Sequence, residues 1–135
     1  MEPIKVVVWL LDGRFLKGYF QNFNPANPSF YLLKQAENTP GSKPDQVNVI
    51  DVKGVFFVKT HDGNKDYRER KMFMEGDRAQ ARKAEVTFAD GEVIQGSVVG
   101  YDPSKPGFFL IPLDAKSNNT RIFVVSGAVK NFRFL

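Results

Sequence analysis

The chain contains nearly the same pattern twice, and this duplication constrains its fold more than any other feature. Asp12-Gly13 returns as Asp90-Gly91, at an offset of 78 residues (90 − 12). The same offset aligns Gly18 with Gly96, Asn24 with Asp102, Pro25 with Pro103, and "FYLL" (30–33) with "FFLI" (108–111). Farther on, "VKGVFF" (52–57) matches "VKNFRF" (129–134) at offset 77. Because turn-forming and apolar residues recur together, the pattern predicts two similar small units.

Each unit has the residue pattern of about five short β-strands. An Asp-Gly step between two apolar runs is typical of a two-residue hairpin turn. The glycine inside the second strand, predicted over Phe15–Phe23, indicates a bend of the kind that a small curved barrel needs. The last two strands are predicted to be broken near Asp51 in one copy and near Ser126-Gly127 in the other. The prediction is an all-β fold of two tandem five-stranded small barrels.

A charged segment separates the two copies. It covers residues 61–82 and mixes both signs of charge, which is typical of a solvated connector. The apolar residues Tyr67, Met72 and Phe73 indicate that part of it packs on a barrel, and a short helix is predicted over Tyr67–Glu75. The predicted organisation is therefore a first barrel at 1–60, a linker at 61–82 and a second barrel at 83–135.

The first copy resembles the Sm and Sm-like family. The stretch "LLDGRFLKGYFQNFNPANPSFYLL" (10–33) is similar to the first motif of that family, and Lys53-Gly54 is similar to the basic-glycine step of its second motif. The second copy has Asp102 in the loop and Lys130 at the basic position. The resemblance implies Sm-like barrels and RNA binding, with Asn24, Asp102, Lys53 and Lys130 as the residues in the positions of the base-binding loop and the basic residue.

The loops "NPANPS" and "DPSKPG" are candidate lips of a binding groove. Bases or peptide side chains could stack on the flanking aromatic residues, and Lys53 and Lys105 could supply charge. The aromatic residues are Phe23, Phe30, Tyr101 and Phe108. The alternative is that these rings form the barrel cores, as aromatic residues usually do.

The linker also carries a possible phosphate-binding pair. Arg78 and Arg82 have the R-x-x-x-R spacing seen before the barrel of cyclic-dinucleotide-binding PilZ domains, and arginine pairs can grip two phosphates. The alternative is a solvated linker, because acidic residues are interleaved with the basic ones.

Composition narrows the chemistry. A net charge of +4 and a pI near 9.4 permit binding to a polyanion. The absence of cysteine excludes disulfides, thiolate metal sites and cysteine nucleophiles. His61 is the only histidine and is interpreted as a turn residue, and Asp12 and Asp90 are interpreted in the same way. We therefore predict no enzyme, no cofactor and no metal.

The predicted function is that of a non-catalytic binding or adaptor module in the cytoplasm, with no membrane association. RNA or single-stranded nucleic acid is the first candidate ligand. A protein-interaction scaffold is the alternative, and a PilZ-like cyclic-dinucleotide effector is the third possibility. Small open barrels leave strand edges that need cover, so a protein partner or a homo-oligomer is also expected.

Overall fold

The computed structural model describes residues 4–20, 23–34, 44–63, 70, 72–74, 77, 81–114 and 116–135. The strands of the first half are β1 (Ile4–Leu10), β2 (Phe15–Phe20), β3 (Ser29–Leu32), β4 (Asp45–Asn48) and β5 (Val52–Val58). Those of the second half are β6 (Arg82–Phe88), β7 (Val93–Val98), β8 (Gly107–Pro112), β9 (Asn119–Val125) and β10 (Val129–Phe134). The predicted all-β class is confirmed.

The two halves repeat the same elements at the offsets of the sequence repeat. β1 begins at Ile4 and β6 at Arg82, and each is followed by an Asp-Gly turn whose glycine has a positive φ of 92° or 95°. A 3-10 turn separates the last two strands of each half, at Val49–Asp51 and Ser126–Ala128. These turns lie where the sequence predicts a break. The second strand ends at Phe20 rather than at the predicted Phe23.

Strand pairing joins the halves into one open sheet. Eight strands have the order β10-β6-β7-β8-β9-β5-β1-β2, and β3 pairs with β4 in a separate two-stranded sheet. A bridge between Tyr19 and Leu33 links β2 to β3. The junction is β5 of the first half on β9 of the second. The two separate Sm-like barrels expected from the sequence are not confirmed, because the described strands of both halves join in this open arrangement.

The sheet carries two apolar cores, each of which takes side chains from both halves. The first core contains Phe20 and Leu32 of the first half together with Phe123 and Val125 of β9. The second core is built mainly from the second half, but Val7 of β1 and Phe56 of β5 belong to it. Successive side chains of a strand point to opposite faces, so β5 supplies both cores at once. The halves are therefore held together by shared packing as well as by hydrogen bonds.

Around Phe73 the described part of the linker lies against the second half. The Phe73 N–H donates to Gln95 Oε1 at 2.8 Å, and the Lys83 ammonium lies 4.9 Å from the centroid of the Phe73 ring. This agrees with the prediction that part of the segment packs on a barrel. Most of the helix predicted over Tyr67–Glu75 lies outside the described residues. No helix of the described chain has the length and apolar character needed to cross a membrane.

Candidate functional site: a buried lysine and its open counterpart

The junction between the halves contains an almost buried lysine. Lys53 lies on β5 with 9% of its surface exposed. Its Nζ donates to Asp90 Oδ2 at 2.7 Å and to Glu92 Oε1 at 2.6 Å, and it lies 4.7 Å from the centroid of the Phe88 ring. Both carboxylates belong to the β6–β7 turn of the other half. We call these four residues the Lys53 cluster.

The ionisation of the cluster follows from these contacts. Burial disfavours the charged form of Lys53, but the hydrogen bonds and charges of Asp90 and Glu92 outweigh it, so the pKa of Lys53 is raised. The hydrogen bond from Lys53, with the Glu92 N–H bound to Asp90 Oδ1, lowers the pKa of Asp90. At neutral pH the lysine is charged and Asp90 is ionised. The cluster therefore forms an ion pair between the two halves, and both carboxylate partners of the Lys53 ammonium lie within the protein.

At the position in the first half that corresponds by the repeat to the Lys53 cluster, there is an open groove. It has a volume of about 410 Å³ and lies between the β1–β2 turn and β4. The groove is lined by Leu10, Leu11, Asp12, Arg14, Leu16, Gln46, Val47, Asn48 and Asp51. We call it the β4 groove.

The repeat shows what the β4 groove corresponds to. Three residues of the second half contact Lys53: Phe88, Asp90 and Glu92. In the first half their positions are occupied by Leu10, Asp12 and Arg14, which line the β4 groove. Gln46 and Val47 occupy the positions of Phe123 and Val124, which pair with β5. The β4 groove is therefore the counterpart of the site that β5 fills in the second half. No strand pairs with this edge of β4 among the described residues.

The β4 groove carries more acid than base. Asp12 and Asp51 line it with Arg14, and Asp45 lies at the start of β4 with its Oδ1 4.0 Å from Lys34 Nζ. Arg14 Nε donates to Asp12 Oδ2 at 2.7 Å, and both side chains are more than half exposed. The Arg14 N–H bound to Asp12 is the main cause of the lowered pKa of that carboxyl. An exposed pair of this kind competes with water, so Asp12 can accept another cation at little cost.

The two residues of the proline loops that are predicted to bind a ligand, Asn24 and Asp102, lie at exposed turns. Asn24 Oδ1 accepts the Ala26 N–H at 3.0 Å, and Asp102 Oδ1 accepts the Ser104 N–H at 2.9 Å. The Ser104 hydroxyl also donates to Asp102 and is the main cause of its lowered pKa. Both side chains hold their own turns. Lys105 is exposed, and its carbonyl accepts the Ser126 hydroxyl.

The other predicted cations that the structure describes lie on different elements. Lys130 is exposed on β10, at the position that corresponds to Lys53. Arg82 begins β6, and its guanidinium stacks 3.7 Å from the centroid of the Phe134 ring. Arg78 lies outside the described residues, so the predicted Arg78–Arg82 pair cannot be placed. Lys53 Nζ is already hydrogen-bonded to Asp90 and Glu92, so its role in binding a ligand stays a prediction.

The aromatic residues of the loops pack within the protein. Phe30 and Phe108 are buried in the first and second core. Phe23 stacks on Phe20 with ring centroids 4.9 Å apart, and Tyr101 stacks on Phe132 at 3.8 Å. The alternative interpretation of these rings as core residues agrees with this packing.

His61 and the acidic residues form no metal centre in the described chain. His61 Nε2 lies 2.9 Å from the Gly18 carbonyl oxygen, and its ring meets Tyr19 edge-on. It therefore ties the start of the linker to β2. Within the described residues no group of three or more histidine or carboxylate side chains could hold a metal ion.

Sequence reasoning missed the partners of Lys53. It interpreted Asp90 as a turn residue, which is correct for Oδ1 but overlooks the ion pair at Oδ2. One signal was available. Apart from Lys53 and Gly54, the run "VKGVFFV" of β5 is apolar without alternation, which is typical of a strand buried on both faces. Its counterpart "VKNFRF" in β10 is interrupted by polar residues.

Comparison with known proteins assigns the chain to a family but gives no activity for it. No curated protein matches it, and no solved structure matches it. A family profile does match almost its entire length. Over residues 2–135 the chain belongs to DUF6982, a family of unknown function.

Proposed function

We propose that this protein is a non-catalytic interaction module that binds an extended protein segment as an added strand along β4. The observation that carries the proposal is the β4 groove, which is open at the place where β5 docks in the other half. The β5–β9 junction shows what such a site can hold: an extended strand with a lysine that reaches the acids of the neighbouring turn.

The chemistry of the groove supports a basic, extended ligand. Strand addition supplies affinity through main-chain hydrogen bonds, while pockets for alternate side chains supply specificity. Here Leu10 and Leu16 provide an apolar floor, and Asp12 and Asp51 provide the negative charge. We therefore expect the preferred segment to carry a lysine or arginine next to apolar residues.

The resemblance to Sm-like proteins enters the proposal at the level of each half. We propose that each half is an Sm-like unit and that the duplication joined two of them. Equal strand orders support this: β5-β1-β2-β3-β4 in the first half, with β2 and β3 linked by the Tyr19–Leu33 bridge, and β10-β6-β7-β8-β9 in the second.

Binding of single-stranded nucleic acid stays a prediction from the sequence, as do the cyclic-dinucleotide function and the cytoplasmic location. The protein ligand is preferred because Lys53 and the loop aromatics, which the nucleic-acid hypothesis needs, already have partners within the chain. A short oligonucleotide checks the hypothesis directly. Measurable affinity at about 50 mM salt, falling steeply as salt is added, would restore it.

The proposed function is tested with a synthetic peptide of residues 51–58, which contains β5. We expect it to bind the whole protein and to shift the backbone amide resonances of β4 and of the β1–β2 turn. The double variant Asp12→Asn/Asp51→Asn removes two negative charges but keeps an Asx-type turn at position 12. It should weaken binding about tenfold, since each charge contributes roughly 0.5–1 kcal/mol at an exposed site.

The matched control for this test is Asp102→Asn. It removes one carboxylate charge from a turn outside the groove, and asparagine already occupies the corresponding turn at Asn24. Peptide affinity should stay within twofold of the original protein. Peptide-induced shifts that spread over other strands, or equal losses in Asp102→Asn and in the groove variant, would contradict a site at β4.

A further inference from the structure

The β1–β2 hairpin and the 3-10 turn beside it expose a group of large apolar side chains. Leu11 is 51% exposed at the hairpin turn, and Phe15 is 48% exposed at the start of β2. The Trp9 ring, which packs partly against the second core, lies 4.9 Å from the Phe15 ring. The Leu11 N–H donates to the Asp51 carbonyl oxygen at 2.9 Å, which brings Ile50, 76% exposed, to the same end of the hairpin. We call Trp9, Leu11, Phe15 and Ile50 the hairpin patch.

The repeat shows that the fold does not require these side chains. At the corresponding positions the second half has Thr87, Ala89, Val93 and Gly127. The same hairpin turn and the same 3-10 turn lie at these positions in both halves, and Ala89, Val93 and Gly127 are exposed as well. Large exposed apolar side chains that the fold can do without are typical of an interaction surface.

The size of the hairpin patch favours a short segment over a second copy of the chain. About half or more of Leu11, Phe15 and Ile50 is exposed. Each contributes on the order of 100 Å², so together they offer roughly 300 Å². A stable dimer buries about 800 Å² on each partner. One or two apolar side chains of a short segment would cover the patch, as anchor residues do at the centre of an interface.

The charges around the hairpin patch favour a protein over an anionic lipid surface. Asp12 follows Leu11 in the hairpin turn, Asp51 follows Ile50, and both acids are exposed. Anionic headgroups attract basic segments and would repel carboxylates at this end of the hairpin. A polar rim around an apolar centre is instead the usual composition of a protein interface.

Lys17 supplies a cation beside the apolar surface. It lies on the same face of β2 as Phe15, with its Nζ 5.8 Å from the centroid of the Phe15 ring. In the described part of the chain no acid lies within salt-bridge distance of Lys17. Its counterpart Gln95 has both ends of its amide bonded within the protein. Because Lys17 is about 7 Å from Phe15 along the strand, an acid close in sequence to an apolar anchor would reach it.

From these observations we propose that the hairpin patch docks a short segment of another protein. A bulky apolar side chain of that segment lies on Leu11 and Phe15, and an acidic residue pairs with Lys17. This surface goes beyond the β4 groove, which it adjoins at Leu11. The groove takes a basic segment and the patch an acidic one, so the two surfaces select different ligands.

A display library of random twelve-residue peptides, selected on the whole protein, tests the proposal. We expect the recovered peptides to share a tryptophan, phenylalanine or leucine with an aspartate or glutamate within four residues of it. The variant Leu11→Ala/Phe15→Val gives the first half the residues of the second half at these positions. It should bind the recovered peptides at least tenfold more weakly, because it truncates the anchor surface. Its midpoint of urea unfolding should match that of the original protein, since both residues are exposed.

Charge reversal at Lys17 gives a second and different readout. Selection on Lys17→Glu should recover peptides in which a lysine or arginine replaces the acid, while the apolar anchor stays. The matched control is Lys130→Glu, which makes the same change at an exposed position of β10. This control should recover the same peptides as the original protein.

The proposal is overturned if no such peptide is recovered, or if the recovered peptides bind Leu11→Ala/Phe15→Val as tightly as the original protein. Self-association in sedimentation velocity that this variant loses would assign the patch to a second copy. Binding to vesicles of phosphatidylserine and phosphatidylcholine that the variant loses would assign it to a lipid surface. The 51–58 peptide is measured in parallel on Phe15→Val, which leaves the β4 groove intact, so its binding decides the proposed function separately.

Discussion

Replacing Gly18 or Gly96 with alanine is expected to lower the free energy of unfolding by about 2–3 kcal/mol each, as overpacking in a filled core does. A Cβ at Gly18 would lie 2.6 Å from both Leu32 Cγ and the Leu33 carbonyl oxygen. A Cβ at Gly96 would meet the Ile111 carbonyl oxygen and would lie 2.7 Å from Leu110 Cδ2. In each half the backbone of the next strand blocks the new methyl group, so the strands must separate.

The two costs should add. Leu32 belongs to the first core and Leu110 to the second, and distant sites with separate partners usually behave independently. The double variant should therefore lose roughly 4–6 kcal/mol, which is comparable with the whole stability of a marginal domain. Urea unfolding followed by the fluorescence of Trp9, the only tryptophan, measures all three proteins.

Gly127→Ala is the matched control. A Cβ at Gly127 would meet nothing within 4 Å, and this glycine is not among those with a positive φ. Its stability should stay within about 0.5 kcal/mol of the original protein. If Gly18→Ala or Gly96→Ala unfolds at the same urea concentration as this control, the close approach of the second and third strands at these glycines would be contradicted.

Local structure was predictable because the residues that force it recur in both halves. Asp-Gly supplies the positive φ of the hairpin turns, and Gly18 and Gly96 allow two backbones to approach closely. Each of these effects acts within a few residues or between adjacent strands. A single sequence therefore carries the strand positions and the breaks near Asp51 and Ser126-Gly127.

The pairing between halves was not predictable in the same way. The local sequence pattern does not indicate that β5 pairs with β9. Two separate barrels would contain the same turns and the same strand glycines. The partners of Lys53 were not predictable for the same reason. Asp90 and Glu92, which bind its ammonium, lie 37 and 39 residues away in the sequence. Only the consecutive apolar residues Val55 to Val58 of β5 indicated a strand buried on both sides.

Reversing the charge of Lys53 is the second change with a large expected effect. Lys53→Glu should lower the free energy of unfolding by about 3–5 kcal/mol at neutral pH, the range found when a buried ion pair is broken. The new carboxylate would lie almost buried beside Asp90 and Glu92, in the place of the ammonium that now neutralises those two acids. It would also act at the junction, so both cores should loosen together.

Two control variants separate charge from position. Lys53→Met keeps an apolar stem near the Phe88 ring, and the carboxylates of Asp90 and Glu92 are 53% and 44% exposed and can regain water. We expect a loss of only about 1 kcal/mol. Lys130→Glu makes the same charge reversal at the exposed counterpart on β10. It should stay within about 0.5 kcal/mol of the original protein.

The pH dependence of these variants gives the sharpest test of the cluster. The pKa of Asp90 is lowered in the folded protein, so its stabilising contribution is complete above the pKa of the unfolded carboxyl, about 4, and is lost as the pH falls below it. The pKa of Lys53 is raised, so its contribution persists through neutral pH and is lost only as the pH rises through that raised value.

Acid should therefore act in opposite directions on the two proteins. Below about pH 4 the original protein begins to lose the Asp90 contribution, while protonation of the crowded carboxylates relieves Lys53→Glu, so the gap between their unfolding free energies should narrow between pH 7 and about pH 3. Urea unfolding at several pH values measures it. A gap that stays constant down to pH 3 would mean that packing, and not charge, sets the cost of losing Lys53. The halves would then be joined by apolar packing and the β5–β9 main-chain pairing without a contribution from the ion pair, and a lysine in a docking strand would have no special value for the β4 groove.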